Sequence, residues 1–157
     1  MNIEIREFRL GDEAAFRALN EAWITAHFEL EEKDRATLSD PRRYILDPGG
    51  HIYFAVNSET SKIVGCCALV ATGDGAFEVA KMTVCEGSRQ HGVGRQLLRA
   101  VIDASRQLGA KYLYLETNHS LTHAIELYRS EGFQHLCAED VKPSHYSRAT
   151  VFMERHL

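Results

Sequence analysis

The sequence is short of almost everything that would mark a fibrous, membrane-spanning or nucleic-acid-binding chain. Its 157 residues include only 3 Pro, 11 Gly, 1 Trp and 4 Cys. So few prolines and glycines exclude collagen-like and low-complexity chains. The longest apolar run, Ile63 to Ala71, is half of the roughly 18 residues that a spanning helix needs. The opening MNIEIREFRL alternates charge with aliphatics and lacks the apolar stretch of a signal peptide. Positive charge is not in excess either, since 18 Lys+Arg stand against 22 Asp+Glu, a net −4. Such a balance supplies no field to hold a polyanion, which argues against a nucleic-acid partner. The cysteines are Cys66, Cys67, Cys85 and Cys137; none forms a CxxC. Two are adjacent inside an apolar run, where they read as small core residues, and a reduced cytoplasm fits that usage. What is present is 45% hydrophobic and 25% charged, enough to fold without staples. The length suits one domain over residues 1–157.

The alternation of Ile3–Arg9 predicts a half-buried strand. Asp12 is placed to cap a helix carrying Ala15, Phe16, Leu19, Trp23 and Ile24 at helical spacing. Residues 28–47 are charged, broken by Ser39-Asp40-Pro41, and are expected to hold a second short helix. After the turn at Pro48-Gly49-Gly50, strands at 51–57, 62–71 and 76–84 form an antiparallel meander. The period then changes: Val93, Leu97, Leu98, Val101, Ile102, Ser105 and Leu108 lie on one helical face, closed by Gly109. A strand at 111–117, a helix capped by Ser120 and ending at Gly132, and strands at 133–137 and 148–154 complete the order. The class is α+β, or mixed α/β: a βαβ unit attached to a meander.

The informative stretch is Val84-Cys-Glu-Gly-Ser-Arg-Gln-His-Gly-Val-Gly-Arg95, which leads from a strand into a helix. Unpaired N–H groups and the helix dipole make an anion site there. Gly92 and Gly94 let a phosphate approach the backbone, and Arg89 and Arg95 add positive charge. A phosphate-bearing cofactor is therefore the first expectation, against the plainer reading of a glycine turn that merely starts a helix. ATP is disfavoured because Val93-Gly94 stand where a Walker loop needs Lys-Ser/Thr. A dinucleotide fingerprint would need a glycine at Leu97, and here a meander precedes the loop.

The loop has company. Arg89-x-x-Gly92-x-Gly94 follows Glu78-Val-Ala-Lys-Met-Thr-Val84; Leu115-Glu-Thr-Asn-His-Ser-Leu-Thr-His-Ala-Ile-Glu-Leu-Tyr128 and Glu131-Gly-Phe133 come after it. Together they resemble the GNAT superfamily of acyl-CoA-dependent N-acetyltransferases, in motif detail over about residues 76–133. Gln90 replaces a glycine frequent in the family, and His123 stands where relatives often carry proline. The resemblance implies a central, mostly antiparallel, splayed sheet of about seven strands flanked by about four helices. It implies acetyl-CoA as co-substrate and direct transfer to a primary amine on a small molecule or peptide, with no membrane partner. A homodimer fits family habit. By the same resemblance, amides of Gln90, His91, Gly92, Val93, Gly94 and Arg95 would clasp the pyrophosphate. The backbone of Met82, Thr83 and Val84 would pair with the pantetheine arm, and Asn118 would bond the cofactor or acceptor.

Acyl transfer to an amine needs a base, oxyanion donors and a proton for the thiolate. Glu78 matches a catalytic glutamate of the family; its plain competitor is a solvent-face carboxylate on an amphipathic strand. Glu116 is the second candidate base. Tyr128 matches the family tyrosine that protonates the thiolate, although by spacing alone it is a core aromatic on the helix face. The N–H near Val84 is the expected oxyanion donor. No metal is expected, since the helix begins between His119 and His123 and separates them as ligands. Cys66 and Cys67 should point to opposite faces, and direct transfer gives Cys85 no nucleophilic task. Glu29, Glu31, Glu32 and Asp34 read as a solvated helix face, with attraction of a cationic amine as the alternative. Acceptor contacts are expected from residues 25–37 and 136–147. The rival to an enzyme is a non-catalytic acyl-CoA sensor or interaction module.

Overall fold

The computed structural model describes residues 1–157. The elements run β1 (Ile3–Glu7), α1 (Glu13–His27), α2 (Glu32–Ser39), β2 (His51–Asn57), β3 (Lys62–Ala71), β4 (Phe77–Val84), α3 (Val93–Gln107), β5 (Tyr112–Thr117), α4 (Thr122–Ser130), β6 (Gln134–His135) and β7 (Val151–His156). All strands join one sheet in the order β1-β2-β3-β4-β5-β7-β6. β2 to β4 make the expected antiparallel meander, and β1 pairs antiparallel with the outer edge of β2. α3 then carries the chain back so that β5 runs parallel to β4, and β7 inserts antiparallel between β5 and β6. The α+β class, with seven strands and four α-helices, is the expected one. No helix is long and apolar enough to cross a membrane.

Strand alternation divides the interior into two layers. Tyr53, Ala55, Cys67 and Leu69 point to one side, where Leu97, Leu98 and Val101 of α3 and Tyr128 of α4 cover them. Phe54, Cys66 and Ala68 point to the other, against Phe16, Ile24 and Leu38 of α1 and α2. Cys66 and Cys67 thus face opposite layers. Gly109, at φ 78, ends α3 as expected, with the Ala110 N–H bonded to the Ser105 carbonyl at 3.0 Å.

Two irregularities shape the centre of the sheet. β4 and β5 pair only at Phe77↔Leu113 and Glu78↔Tyr114, then part. On its other edge β4 slips register against β3 between Cys66 and Ala68, a bulge that places Lys81 at φ 51. Both lie on the strand that carries the Glu78–Val84 motif.

Some boundaries differ from expectation. The last strand is Val151–His156 rather than 148–154, because Arg148 is drawn out of the ladder by a carboxylate on α2. β6 shrinks to two residues. The second short helix is α2, followed by a single π-helical turn at Arg42–Leu46. Ser120 does not cap α4; its N–H instead donates to the Asn118 side-chain oxygen at 2.9 Å, and the helix starts at Thr122. Asp12 stands at the N-cap of α1 as expected, its carbonyl accepting the Phe16 N–H at 3.0 Å, but its side chain makes no capping bond. Its carboxylate takes two bonds from Arg6, at 2.7 and 3.1 Å, and one from the Arg9 N–H.

Candidate active site

Where β4 and β5 part, the sheet opens into a cavity of about 850 Å³. Its floor is the backbone of β4, and one end is the loop before α3. Gly92 caps α3 at φ 76 and Gln90 also sits left-handed, at φ 68. The first helical bond of α3 runs from the Gln96 N–H to the Gly92 carbonyl at 3.0 Å, so the N–H groups of residues 90–95 have no acceptor in the chain. Six such donors at a helix N-terminus form an anion nest. They suit a phosphate or pyrophosphate. Gln90 in place of glycine leaves that donor set intact, at the cost of a left-handed residue with a side chain.

The arginines beside the nest are partly committed. Arg95 bonds Glu131 at 2.5 Å and Ser130 at 2.9 Å, and Arg99 shares the same Glu131 oxygen. Arg89 folds back so that its Nε donates to the Val84 carbonyl at 3.0 Å. His91 is exposed and does not line the cavity. Asn118 lines it, but its amide N–H₂ donates to the Arg148 carbonyl at 2.8 Å and its oxygen accepts from Ser120. Met82, Thr83 and Val84 all border the slot, with β5 no longer paired alongside them.

Glu78 occupies the last rung before the strands part. Its carboxylate lines the cavity and has no hydrogen bond or ion pair. Burial, and then the charge of Glu116, push it up to about 7; Lys33, Lys81 and Lys142 pull the other way. Glu116 lies two residues beyond Tyr114 on β5 and is differently placed. It accepts the Tyr114 hydroxyl at 3.0 Å and the Ser144 hydroxyl at 2.6 Å. Of the two candidate bases, Glu78 is the one whose lone pairs are free.

Tyr128 of α4 is packed edge-on against Phe133, with ring centroids 5.9 Å apart, and is 8% exposed. It lines the cavity too. Burial raises its phenol above the ordinary range, so it stays protonated and able to donate. The core-aromatic and functional readings of this residue are both met by one placement. His119 is taken up by Thr150, with a ring nitrogen 2.9 Å from its hydroxyl, while His123 borders the cavity. The Cys85 thiol lies 3.3 Å from the Ser88 hydroxyl.

A further group was not foreseen. Asp34 is fully buried, not part of a solvated helix face. Its oxygens accept Lys81 Nζ at 2.5 Å, two guanidinium bonds from Arg148 at 2.7 Å each, and the Glu31 N–H at 3.0 Å. Burial opposes ionisation of Asp34, but the bonds from Arg148 and Lys81 prevail and hold its carboxyl well below the usual range. The Tyr146 ring lies against both cations, 4.8 Å from Lys81 Nζ and 4.3 Å from the Arg148 guanidinium. Glu31 binds both the Ser147 N–H and Arg148. Together these contacts fasten α2 and the 144–148 segment to the β4 bulge. No local signal announces them, because the partners are 47 and 114 residues apart.

Residues 13–133 match the acetyltransferase (GNAT) family. The chain belongs to that family. This acetyltransferase is 29% identical over 119 residues to the uncharacterized N-acetyltransferase YjgM of Escherichia coli, a match spanning 72% of this chain and 71% of that one. Among solved structures it superposes on a GNAT-family acetyltransferase of Staphylococcus aureus with a TM-score of 0.88, at 22% identity over 99% of both chains. It also superposes on a GNAT-family acetyltransferase of Elizabethkingia anophelis with acetyl-CoA bound, at a TM-score of 0.66 and 23% identity, over 99% of each. At such identities the structural likeness is one of fold.

Proposed function

We propose that this acetyltransferase moves the acetyl group of acetyl-CoA to a primary amine of a small molecule or peptide, within a single domain of residues 1–157. The observation that carries the proposal is the free Glu78 carboxylate, with its proton affinity near neutrality, on the rung where the sheet opens. A base works best with a pKa near the working pH. Amides of residues 90–95 hold the pyrophosphate; Arg95 contributes mainly its N–H, since its guanidinium is engaged by Glu131. The backbone of Met82 to Val84 pairs with the pantetheine arm, and the N–H near Val84 polarises the thioester carbonyl. Asn118 supports the slot by tying β5 to the 148–150 segment.

In the transfer, Glu78 accepts the ammonium proton of the acceptor, directly or through one water. The neutral amine then attacks the acetyl carbon to give a tetrahedral intermediate, which collapses with cleavage of the carbon–sulfur bond as Tyr128 gives its proton to the departing thiolate. The second proton that the nitrogen sheds as the amide forms passes through water to restore the Tyr128 hydroxyl. An amide and the free thiol leave. Free-thiol release from acetyl-CoA, followed across a panel of amines, amino acids and peptides, tests this. Release that depends on an amine is expected. Tight acetyl-CoA binding with no turnover on any acceptor would instead identify an acyl-CoA sensor.

A further inference from the structure

The charged groups around the acceptor side of the cavity divide into those already satisfied and those that are not. Lys81 and Arg148 are held by Asp34. Lys142 donates to the Tyr112 hydroxyl at 3.1 Å and lies 3.8 Å from Asp74. Glu116 is occupied by Tyr114 and Ser144. Two groups remain. One is Glu78; the other is Lys33, in the first turn of α2, whose ammonium lines the cavity with no hydrogen bond or ion pair. Asp34, its chain neighbour, has no capacity left, because its two oxygens already serve four donors. Glu29 and Glu32 are exposed and do not border the cavity. Among the cations that act on Glu78, Lys33 acts most strongly. Trp23, Phe28, Tyr44 and Val70 line the same space with apolar surface.

We propose that Lys33 receives an anionic group of the acceptor, so that the preferred acceptor class is a primary amine bearing a carboxylate on an apolar, aromatic-sized body. Its amine lies at Glu78, its acid at Lys33, and its body against the aromatic wall. This assignment rests on the proposed acetyl transfer and specifies its substrate class. A charge entering a partly dry cavity needs a counter-charge, and Lys33 is the one still available. A second cation on the acceptor would meet Lys33 as a like charge and be rejected.

The test compares acceptors that differ only in the acid. Benzylamine is paired with para-aminomethylbenzoate, phenethylamine with phenylalanine, and para-xylylenediamine supplies the dication. The kcat/KM of each is measured for the wild type, Lys33→Ala and Lys33→Glu. The expected result is a preference of about tenfold for the acid-bearing member of at least one pair. That preference disappears in Lys33→Ala, and Lys33→Glu turns it toward the diamine. Lys33 is exposed on its helix, so both variants are expected to fold, and unchanged melting curves check this. Equal rates within both pairs, or a preference that survives Lys33→Ala, would overturn the assignment and leave acetyl transfer standing. Acetyl-CoA binding without turnover on any amine would overturn both.

Discussion

Glu78 and Lys81 sit three residues apart on one strand, border one cavity and are both largely withdrawn from water, yet their fates are opposite. The Lys81 side chain is 7% exposed and meets a fully buried carboxylate. Glu78 meets nothing. Withdrawal from water penalises either charge by several kcal/mol, and only Lys81 has a partner that offsets the penalty. The satisfied charge serves architecture: it ties α2, the β4 bulge and the 144–148 segment into one wall. In the proposed transfer the unsatisfied charge serves chemistry, because the uncompensated penalty moves its proton affinity toward neutrality, where a base for an amine works best. Pairing, rather than burial, separates the two roles.

The strongest way to break this contrast is to remove the partner. Asp34→Ala leaves Lys81 and Arg148 withdrawn from water with no shared anion, and is expected to cost about 3–5 kcal/mol of stability. Urea unfolding measures it, and a loss under about 1 kcal/mol would reduce the cluster to an ordinary surface ion pair.

Glu78→Gln acts in the reverse sense. The variant should lose about a hundredfold in kcat, together with the rise in wild-type rate as pH passes through about 7. Its stability should behave unlike that of most active-site losses. Glu78 binds its proton more tightly folded than unfolded, since its value rises from 4.5 to about 7. Its contribution to wild-type stability is therefore complete below about 4.5 and is lost as pH climbs through about 7. The Gln variant should overtake the wild type in alkaline buffer and show no such gain in acid. Denaturant midpoints at the two ends of that range decide the matter.

Tyr128→Phe should lower kcat about tenfold and leave acetyl-CoA affinity nearly intact, because its hydroxyl matters only as charge develops on sulfur. Calorimetric titration beside steady-state kinetics separates those quantities, and loss of affinity alone would make the tyrosine a packing residue. The smallest effect belongs to Gln90. Glycine removes the side-chain penalty of its left-handed backbone, worth about 1 kcal/mol and a gain of about 2–4 °C in Tm.

The parts legible from sequence were those written in local period or in a compact motif. The meander followed from the turn at Pro48-Gly49-Gly50 and the strand pattern behind it, and α3 from seven residues on one face with Gly109 behind them. Glu78, Tyr128 and the glycine loop were found because their spacing resembles a family pattern, and the structure brings all three to one cavity. The charge pairing was not legible. Asp34 lies in a run of acids that looks solvated, and Arg148 looks like the start of a strand. Their meeting depends on how the sheet folds α2 onto the 144–148 segment, which no window of either stretch contains. The same limit applies to Arg95 and Asn118, whose partners Glu131 and Arg148 lie 36 and 30 residues away.

The parting of β4 from β5 has a consequence for the safety of the fold. An unpaired strand edge invites pairing with the edge of another chain, and proteins blunt exposed edges with charges, bulges or short strands. Here the open stretch of β4 is interior, with β3 on one side and β5 diverging on the other. An edge enclosed between two strands of its own sheet is not presented to the edge of another chain's sheet. The molecule can therefore keep an unfilled hydrogen-bonding edge ready for use without offering a template for aggregation.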